Sequence, residues 1–243
     1  MFAVNPSRDR SVQNMFDRIA GRYDLLNRII SFRLDARWRR QAIRAVLTEE
    51  RPRIIDLGTG TGDLALSAAA AARGRGVFIG LDFSLRMLKL AQEKKNAAPH
   101  GAGAAFVMGS ALFAPFKSAR FDGALTAFVL RNVSDLPLFF AEAARVLKPG
   151  GRLVSLDMFP PDPGWFTALY SVYFYSLMPR VGGWLSGDRR AYQYLSESVR
   201  GFHAPEKVAA MIRDAGFERV QIKKFLRGAV CMHIAEKPRA VRS

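Results

Sequence analysis

Hydrophobic residues near the start of the chain recur at steps of three and four positions, the spacing of one face of an α-helix. These positions are Val12, Phe16, Ile19, Tyr23, Leu26 and Ile30. The pattern predicts an amphipathic helix over 12–30, and a second helix is predicted after Ser31, through Trp38 to Val46. Because both helices precede the first predicted strand, we expect residues 12–47 to form a cap over the ligand-binding end of a sheet.

From Ile54 onward, short apolar runs alternate with stretches of helical pattern. The strands are predicted to begin at Ile54 and then to cover 77–82, 105–108, 121–128, 152–158, 220–226 and 229–236, and the helices 64–72, 84–95, 136–147 and 205–215. Unbroken apolar runs are typical of parallel strands buried on both faces. The alternation predicts one α/β domain over residues 1–243, with a doubly wound, mostly parallel, seven-stranded sheet.

This alternation is interrupted at Phe159. A proline-rich stretch that ends at Gly164 leads into an aromatic segment, 165–178, which is too short to span a bilayer. One interpretation is an ordinary buried helix. The other is a lid, within an insertion at 159–200, that lines a pocket for a large apolar substrate and touches lipid with its outer face.

Three glycines at alternate positions, Gly58, Gly60 and Gly62, separate the first strand from a strongly helix-forming stretch. A strand, a glycine turn and a helix in this order place a ligand at the carboxyl end of the strand. The spacing is one residue tighter than the dinucleotide-binding pattern G-x-G-x-x-G and is similar to the turn of S-adenosylmethionine (SAM) methyltransferases. The alternative is an ordinary glycine-rich turn.

Acidic residues flank this turn. We expect Asp56 to orient backbone amides and Asp63 to meet the amino group of the methionine part of SAM. Asp82 ends the second predicted strand, 26 residues after Asp56. An acid at that place accepts hydrogen bonds from a pair of ribose hydroxyls in other nucleotide-binding βαβ units.

Composition changes this picture mainly through charge. The 49% hydrophobic and 24% charged content is that of a globular protein. The single cysteine, Cys231, allows no intramolecular disulfide and is consistent with a reducing compartment. The 37 basic and 21 acidic residues give a net charge of +16, which favours either an anionic partner, nucleic acid or a membrane surface, or simply a solvated basic surface.

Several further motifs carry a more particular resemblance. They are Tyr23-Asp24-Leu25-Leu26-Asn27 with Ser31 and Trp38, Phe128-Val129-Leu130-Arg131-Asn132-Val133, Arg145-Val146-Leu147-Lys148-Pro149-Gly150-Gly151, and Ser186-Gly187-Asp188 with Tyr192, Tyr194-Leu195 and Glu197-Ser198. From about Val12 to its end, the chain resembles the quinone-biosynthesis C-methyltransferases, which methylate demethylmenaquinol and the related ubiquinone precursor.

The resemblance implies SAM as the cofactor and a polyprenyl hydroquinone as the substrate. The implied catalytic residues are Arg131, Asn132, Tyr23 and Asp35, with Arg131 stabilising a phenolate or holding a water. The implied cofactor-binding residues are Asp56, Gly58, Thr59, Gly60, Gly62, Asp63, Asp82, Phe83, Ser110 and Ala111. We expect no metal and no nucleic acid, and a cytoplasmic protein bound peripherally to an anionic membrane at its inner face. Whether the chain forms a homodimer stays open.

The chain departs from the pattern of that family at three positions. Asp35 stands where the family usually has a histidine, which changes the charge and reach at the substrate end. Ser110 follows Gly109 where an Asp or Asn usually meets the adenine, and Asp157 replaces a Glu at the end of the fifth strand. Asp157, His203 and His233 are further candidates for the site, although a lone histidine is more often structural.

Three rival functions follow from the same residues. A nucleic-acid methyltransferase would use the basic charge, but Cys231 is badly placed as a cytosine nucleophile, and Arg131-Asn132-Val133 is not an Asn/Asp-Pro-Pro-aromatic motif. A phosphatidylethanolamine N-methyltransferase is a closer rival. The third is a SAM-binding protein of altered or lost activity, which the substitutions Asp35 and Ser110 keep open.

Overall fold

A seven-stranded sheet forms the centre of the protein, with the strand order β3-β2-β1-β4-β5-β7-β6. The computed structural model describes residues 6–178 and 189–239. The strands are β1 (Arg53–Leu57), β2 (Val77–Asp82), β3 (Ala104–Met108), β4 (Phe121–Ala127), β5 (Leu147–Met158), β6 (Glu218–Phe225) and β7 (Val230–Glu236). The pairings among β1 to β5 are parallel, and β7 runs antiparallel to both β5 and β6. The predicted α/β fold is confirmed.

Helices flank this sheet and precede it. They are α1 (Pro6–Ile19), α2 (Tyr23–Ile30), α3 (Leu34–Val46), α4 (Asp63–Ala71), α5 (Leu85–Ala97), α6 (Leu136–Val146), α7 (Trp165–Ser171), α8 (Arg189–Arg200) and α9 (Pro205–Asp214). Ser84 caps α5 by accepting a hydrogen bond from the Met87 amide, and Asp135 caps α6 in the same way from Leu138. Such caps satisfy amides that lack a partner in the first helical turn.

The unbroken apolar runs are explained by helices on both faces of the sheet. In β1, Ile55 packs into a core cluster with side chains of α6 and α9, including Phe139 and Ile212. The adjacent Ile54 packs into a second cluster with side chains of α3 and α4, such as Ile43. Because successive strand residues point to opposite faces, both must be apolar here.

The helix predicted over 12–30 is wrong in one respect, since the chain forms two helices separated by a 3₁₀ turn at Ala20–Arg22. Gly21 lies in this turn, and glycine is a poor helix former. The break gives α1 and α2 separate contacts. Gln13 of α1 donates to the Phe83 carbonyl oxygen (3.0 Å), and Asp24 of α2 pairs with Lys94 of α5 (2.5 Å).

The fifth strand starts earlier than predicted. Helix α6 ends at Val146, but Lys148-Pro149-Gly150-Gly151 belong to β5 and not to a loop. The Gly150 amide donates to the Lys237 carbonyl oxygen at 3.0 Å, and the Lys237 amide donates to Gly151 at 2.8 Å. These bonds to the chain after β7 provide a reason for the extra strand residues.

The aromatic segment after β5 is helical. Helix α7 continues as a π-helix over Val172–Leu177. Tyr170 and Phe174 on its inner side are buried with Val199 of α8, whereas Trp165 and Leu169 are largely exposed. No helix in the described part of the chain is long and apolar enough to cross a membrane.

Candidate active site

The glycine turn after β1 is held against the end of β2. The Gly58 and Thr59 amides both donate to the Leu81 carbonyl oxygen, at 2.8 and 3.0 Å. Gly58 has a positive φ of 77°, and a Cβ added there would lie 2.6 Å from a methyl carbon of Val129. Only glycine therefore fits at this point. An added Cβ at Gly60 would meet nothing within 4 Å, so the turn presents bare backbone to open space.

Asp82 joins this turn to the start of α5. Its carboxylate accepts hydrogen bonds from the Gly60 amide (2.8 Å) and from the Ser84 amide (2.9 Å). Burial raises the pKa of Asp82, although these bonds partly offset it. A carboxylate has about four lone-pair sites, so Asp82 retains the capacity to accept bonds from a ligand.

Asp56 lies beneath the turn and is buried. It accepts a hydrogen bond from the Thr59 hydroxyl at 2.6 Å and also interacts with the Ala65 backbone amide; its predicted role in orienting backbone amides stays a prediction. Burial raises its pKa to about 7, and the bond from Thr59 offsets this only in part. Asp56 and Thr59 thus support the turn from below.

A cavity of about 340 Å³ opens at the carboxyl ends of β1 and β2. Of the predicted cofactor residues, it is lined by Gly58, Asp82, Phe83, Ser110 and Ala111. An adjoining cavity of about 50 Å³ adds Gly60. We call these two spaces together the donor cleft. A cleft of this size with glycine backbone and a buried carboxylate fits a nucleoside-containing ligand such as SAM.

Asp63 begins α4, and its carboxylate forms an ion pair with the Lys94 side chain. Lys94 lies 2.5 Å from Asp63, 2.5 Å from Asp24 and 2.9 Å from the Thr61 hydroxyl. The Thr61 hydroxyl in turn donates to Asp24 at 2.7 Å. Sequence reasoning missed Lys94, because its distance from the turn along the chain hides the contact. The predicted contact of Asp63 with the methionine amino group stays a prediction.

A second cavity, of about 270 Å³, lies among α2, α3, α7 and the end of β5. We call it the acceptor cavity. Its lining is mostly aromatic and aliphatic, with the rings of Phe32, Trp38, Phe128, Phe166, Tyr170, Tyr173 and Phe174. Four polar side chains also line it, namely Asn27, Ser31, Asp35 and Arg131. Such a cavity suits a large apolar ligand with a few polar groups.

Arg131 is held in the wall of the acceptor cavity by Asp157. The two side chains form a buried ion pair with an Nη1–Oδ1 distance of 2.5 Å. Asp157 also accepts the Leu130 and Met158 amides, each at 2.7 Å. The carboxylate that closes the fifth strand is therefore fully engaged, and it fixes the guanidinium. Asp157 appeared in the sequence only as a further candidate.

Asn132 lies on the other side of the same short turn, Leu130–Asn132. It lines the donor cleft, accepts a hydrogen bond from the Tyr194 hydroxyl (3.0 Å) and donates to the Phe128 carbonyl oxygen (3.3 Å). Phe128 lines both the acceptor cavity and the donor cleft. Its φ of 63° is unusual for a bulky residue, and such strain is found preferentially at functional sites.

The remaining predicted residues divide into three groups. Asp35 is buried in the wall of the acceptor cavity, where it accepts the Ser31 hydroxyl (2.8 Å) and lies 3.6 Å from Arg39. The side chains of Tyr23 and Tyr192 and the segment 186–188 lie outside the described residues. His203, His233 and Cys231 line neither cavity.

The two buried residues of this last group have partners of their own. His233 bonds the Pro205 carbonyl oxygen at 2.9 Å, and burial lowers its pKa. Burial raises the pKa of the Cys231 thiol to about 12, which makes it a poor nucleophile. Both residues are structural.

Comparison with known proteins identifies the family of the chain. Residues 4–237 match the model of the ubiE/COQ5 methyltransferase family. The chain belongs to this family. As a member of the ubiE/COQ5 methyltransferase family, it is a SAM-dependent methyltransferase.

Relatives of similar length support the assignment over almost the whole chain. A demethylmenaquinone methyltransferase of Thermus thermophilus is 45% identical over 92% of this chain and 100% of its own. A ubiquinone/menaquinone biosynthesis C-methyltransferase UbiE of Geotalea uraniireducens is 37% identical over 98% of this chain and 100% of its own.

Solved structures show the same fold at lower identity. A SAM-dependent methyltransferase of Thermotoga maritima, described as a possible histamine N-methyltransferase, superposes with a TM-score of 0.62 at 22% identity, over 93% of this chain and 99% of its own. A phosphoethanolamine N-methyltransferase of Haemonchus contortus gives 0.60 at 15% identity, over 84% of this chain and 53% of its own. At these identities the likeness concerns the fold alone.

Proposed function

We propose that the chain transfers the methyl group of SAM to a ring carbon of a reduced polyprenyl quinone precursor, either demethylmenaquinol or the related ubiquinone precursor. Its relatives are a demethylmenaquinone methyltransferase and a C-methyltransferase of ubiquinone and menaquinone biosynthesis. The observation that carries the proposal is the pair of cavities on either side of the Leu130–Asn132 turn, one glycine-lined and one aromatic.

The residues of the donor cleft support a role in holding the cofactor. Asp82 is the acceptor for ribose hydroxyls, the bare backbone of Gly58 and Gly60 allows close approach, and Phe83 and Ser110 flank the cleft. SAM, when bound, supplies a methyl group on a positively charged sulfur, which a ring carbon of the acceptor displaces. Ser110 takes the place of the usual Asp or Asn at the adenine, where its hydroxyl still offers a hydrogen bond.

Arg131 is the residue that activates the acceptor. A ring carbon becomes nucleophilic when the neighbouring hydroxyl loses its proton, and a phenol has a pKa of about 10. A buried guanidinium beside that oxygen favours the phenolate, because the charge is poorly screened in an apolar wall. A guanidinium is a poor base, so we assign Arg131 electrostatic stabilisation, with Asp157 as the residue that positions it.

The outer surface of the acceptor cavity supports binding to an anionic membrane. Large apolar side chains are exposed around it, namely Phe32, Trp165, Leu169, Val172 and Leu226. Arg227 lies over the Trp165 ring at 5.6 Å, and Arg33, Arg37 and Arg40 of the cap are exposed. Apolar side chains among basic ones are the pattern of a peripheral membrane surface. We place the protein at the cytoplasmic face of the membrane on this basis.

The proposal is tested by incubating the protein with methyl-labelled SAM and separate acceptors. These are a prenylated demethylmenaquinol kept reduced, the ubiquinone precursor, phosphatidylethanolamine and RNA. Label in either quinol supports the proposal. Label confined to phospholipid or RNA would overturn it and favour a rival function. Light scattering on the same sample tests whether the chain forms a homodimer.

A further inference from the structure

Tyr170 presents a buried hydroxyl group in an apolar wall. The residue lies in α7, is 7% exposed and lines the acceptor cavity. Its hydroxyl forms no hydrogen bond with any described residue. Leaving a buried hydroxyl without a partner is costly, and a phenylalanine would avoid that cost. The group therefore calls for a functional explanation.

Two other buried donors around the same cavity share this property. Asn27 Nδ2 and Arg131 Nε have no hydrogen-bond partner within the described part of the protein, and both residues line the acceptor cavity. The Nε atom of an arginine only donates, and so does the amide nitrogen of an asparagine. A ligand that satisfies these groups must present oxygen atoms that accept hydrogen bonds from an otherwise apolar body.

We propose that Tyr170 is a substrate-binding residue whose hydroxyl donates a hydrogen bond to the second oxygen of the hydroquinone, the one remote from the reacting carbon. The proposal rests on the proposed function. Arg131 takes the oxygen beside the reacting carbon, because its turn separates the acceptor cavity from the donor cleft. Because two hydrogen-bond donors meet the two oxygens, the hydroquinone ring has one orientation relative to SAM.

The surroundings of Tyr170 suit this role. Its ring stacks on Phe174 at 5.0 Å between centroids, with 13° between the planes, so the packing fixes the direction of the hydroxyl. Burial raises the pKa of Tyr170, and the nearby positive charge of Arg131 opposes this only in part. The hydroxyl therefore keeps its proton at neutral pH and is available as a donor.

Tyr173 provides a matched control. It lines the same cavity three residues further along the chain, but its hydroxyl already donates to the Ile30 carbonyl oxygen at 3.1 Å. Within the described residues, the Tyr173 hydroxyl thus has a hydrogen-bond partner and the Tyr170 hydroxyl has none. Tyr170→Phe and Tyr173→Phe each remove a hydroxyl group, in the first case one without a hydrogen-bond partner among the described residues and in the second case one with such a partner.

The test measures acceptor affinity, SAM affinity and thermal stability for both variants. For Tyr170→Phe we expect the quinol KM to rise about tenfold, because the second oxygen of the quinol would lose its hydrogen-bond donor. SAM affinity should not change, and the Tm should be equal or higher. For Tyr173→Phe we expect a lower Tm and a smaller rise in quinol KM than for Tyr170→Phe. A structural role for Tyr170 would instead lower the Tm and leave KM unchanged, which would overturn the proposal.

A second arm uses a prenylated naphthol that keeps only the oxygen beside the reacting carbon. The unaltered protein should bind it about tenfold more weakly than the quinol, and Tyr170→Phe should make no further difference. If Tyr170→Phe weakens both ligands equally, its hydroxyl does not meet the second oxygen. If the unaltered protein methylates no quinol, the proposed function itself is refuted. If the unaltered protein methylates the quinol and Tyr170→Phe leaves this turnover unchanged, only the role of Tyr170 is refuted.

Discussion

The donor cleft and the acceptor cavity are built in different ways. The donor cleft depends on backbone, since the amides of one glycine turn bond to Leu81 and Asp82 within a single βαβ unit. The acceptor cavity depends on side chains from many separate parts of the chain, namely α2, α3, the segment with Phe128 and Arg131, the end of β5, α7 with its π-helical continuation, α8 and residues 226–230. The difference teaches that the proposed cofactor site is built around a short local motif, whereas the proposed substrate site depends on tertiary packing. Four predictions probe this contrast, from the largest expected effect to the smallest.

The first prediction tests the Arg131–Asp157 ion pair in the wall of the acceptor cavity. Arg131→Ala leaves Asp157 as an unpaired buried carboxylate, which should cost about 3–5 kcal/mol of stability. We expect turnover to be lost while SAM affinity is kept, as measured by calorimetry and labelled SAM. The double variant Arg131→Ala/Asp157→Asn removes the unpaired charge and keeps an oxygen for the neighbouring amides, so it should recover part of the stability but not turnover. Equal losses of turnover and SAM affinity in the double variant would contradict the assignment of Arg131 to the acceptor.

The second prediction concerns how the stability of the protein depends on pH through Asp56, which lies beneath the glycine turn of the donor cleft. The pKa of Asp56 is about 7 in the folded protein against a usual 3.8, so the folded state binds this proton more tightly than the unfolded state. Its contribution to stability is therefore fully present below about pH 4 and is lost as the pH rises towards 7, by about 4 kcal/mol at most. Denaturant unfolding across this range should show the decline. Asp56→Asn should remove that part of the slope, and an identical slope in the variant would refute the prediction.

The third prediction tests the backbone character of the donor cleft. Gly58→Ala places a Cβ 2.6 Å from Val129 at a φ of 77°, so the turn must shift. Overlap in a packed region costs about 1–3 kcal/mol, and we expect SAM affinity to fall up to a hundredfold in calorimetry. Val129→Ala should partly rescue Gly58→Ala by removing the overlap, although the backbone strain remains. No rescue would mean that the loss has another cause.

The smallest effect concerns the outer surface of the acceptor cavity. Trp165→Ser removes a largely exposed ring, and losing part of its burial in lipid should weaken binding to phosphatidylglycerol vesicles roughly tenfold. Val77 is also exposed but starts β2, away from both cavities, so Val77→Ser serves as the control. Equal effects of the two substitutions in vesicle sedimentation would argue against a membrane surface at this place.

Local pattern was sufficient for much of the fold. The period of the apolar residues predicted the alternating strands and helices, and β2 was predicted at its observed bounds, Val77–Asp82. The prediction of one long helix at the start failed because the apolar spacing continues through the 3₁₀ turn at Ala20–Arg22. The early start of β5 also escaped prediction, because Gly150 and Gly151 pair with residues about 85 positions away.

By itself, the sequence determined the glycine turn and the acidic residue of the donor cleft. The glycine spacing and Asp82 belong to one continuous unit, so their chemistry is visible without knowledge of the rest. Only the tertiary structure decided that Asp157 holds Arg131, that Lys94 pairs with Asp63, and that the Tyr173 hydroxyl has a hydrogen-bond partner whereas the Tyr170 hydroxyl has none among the described residues. The physical reason is that a hydrogen bond or ion pair between distant residues depends on side-chain positions within the packed fold, about which spacing along the chain carries no information.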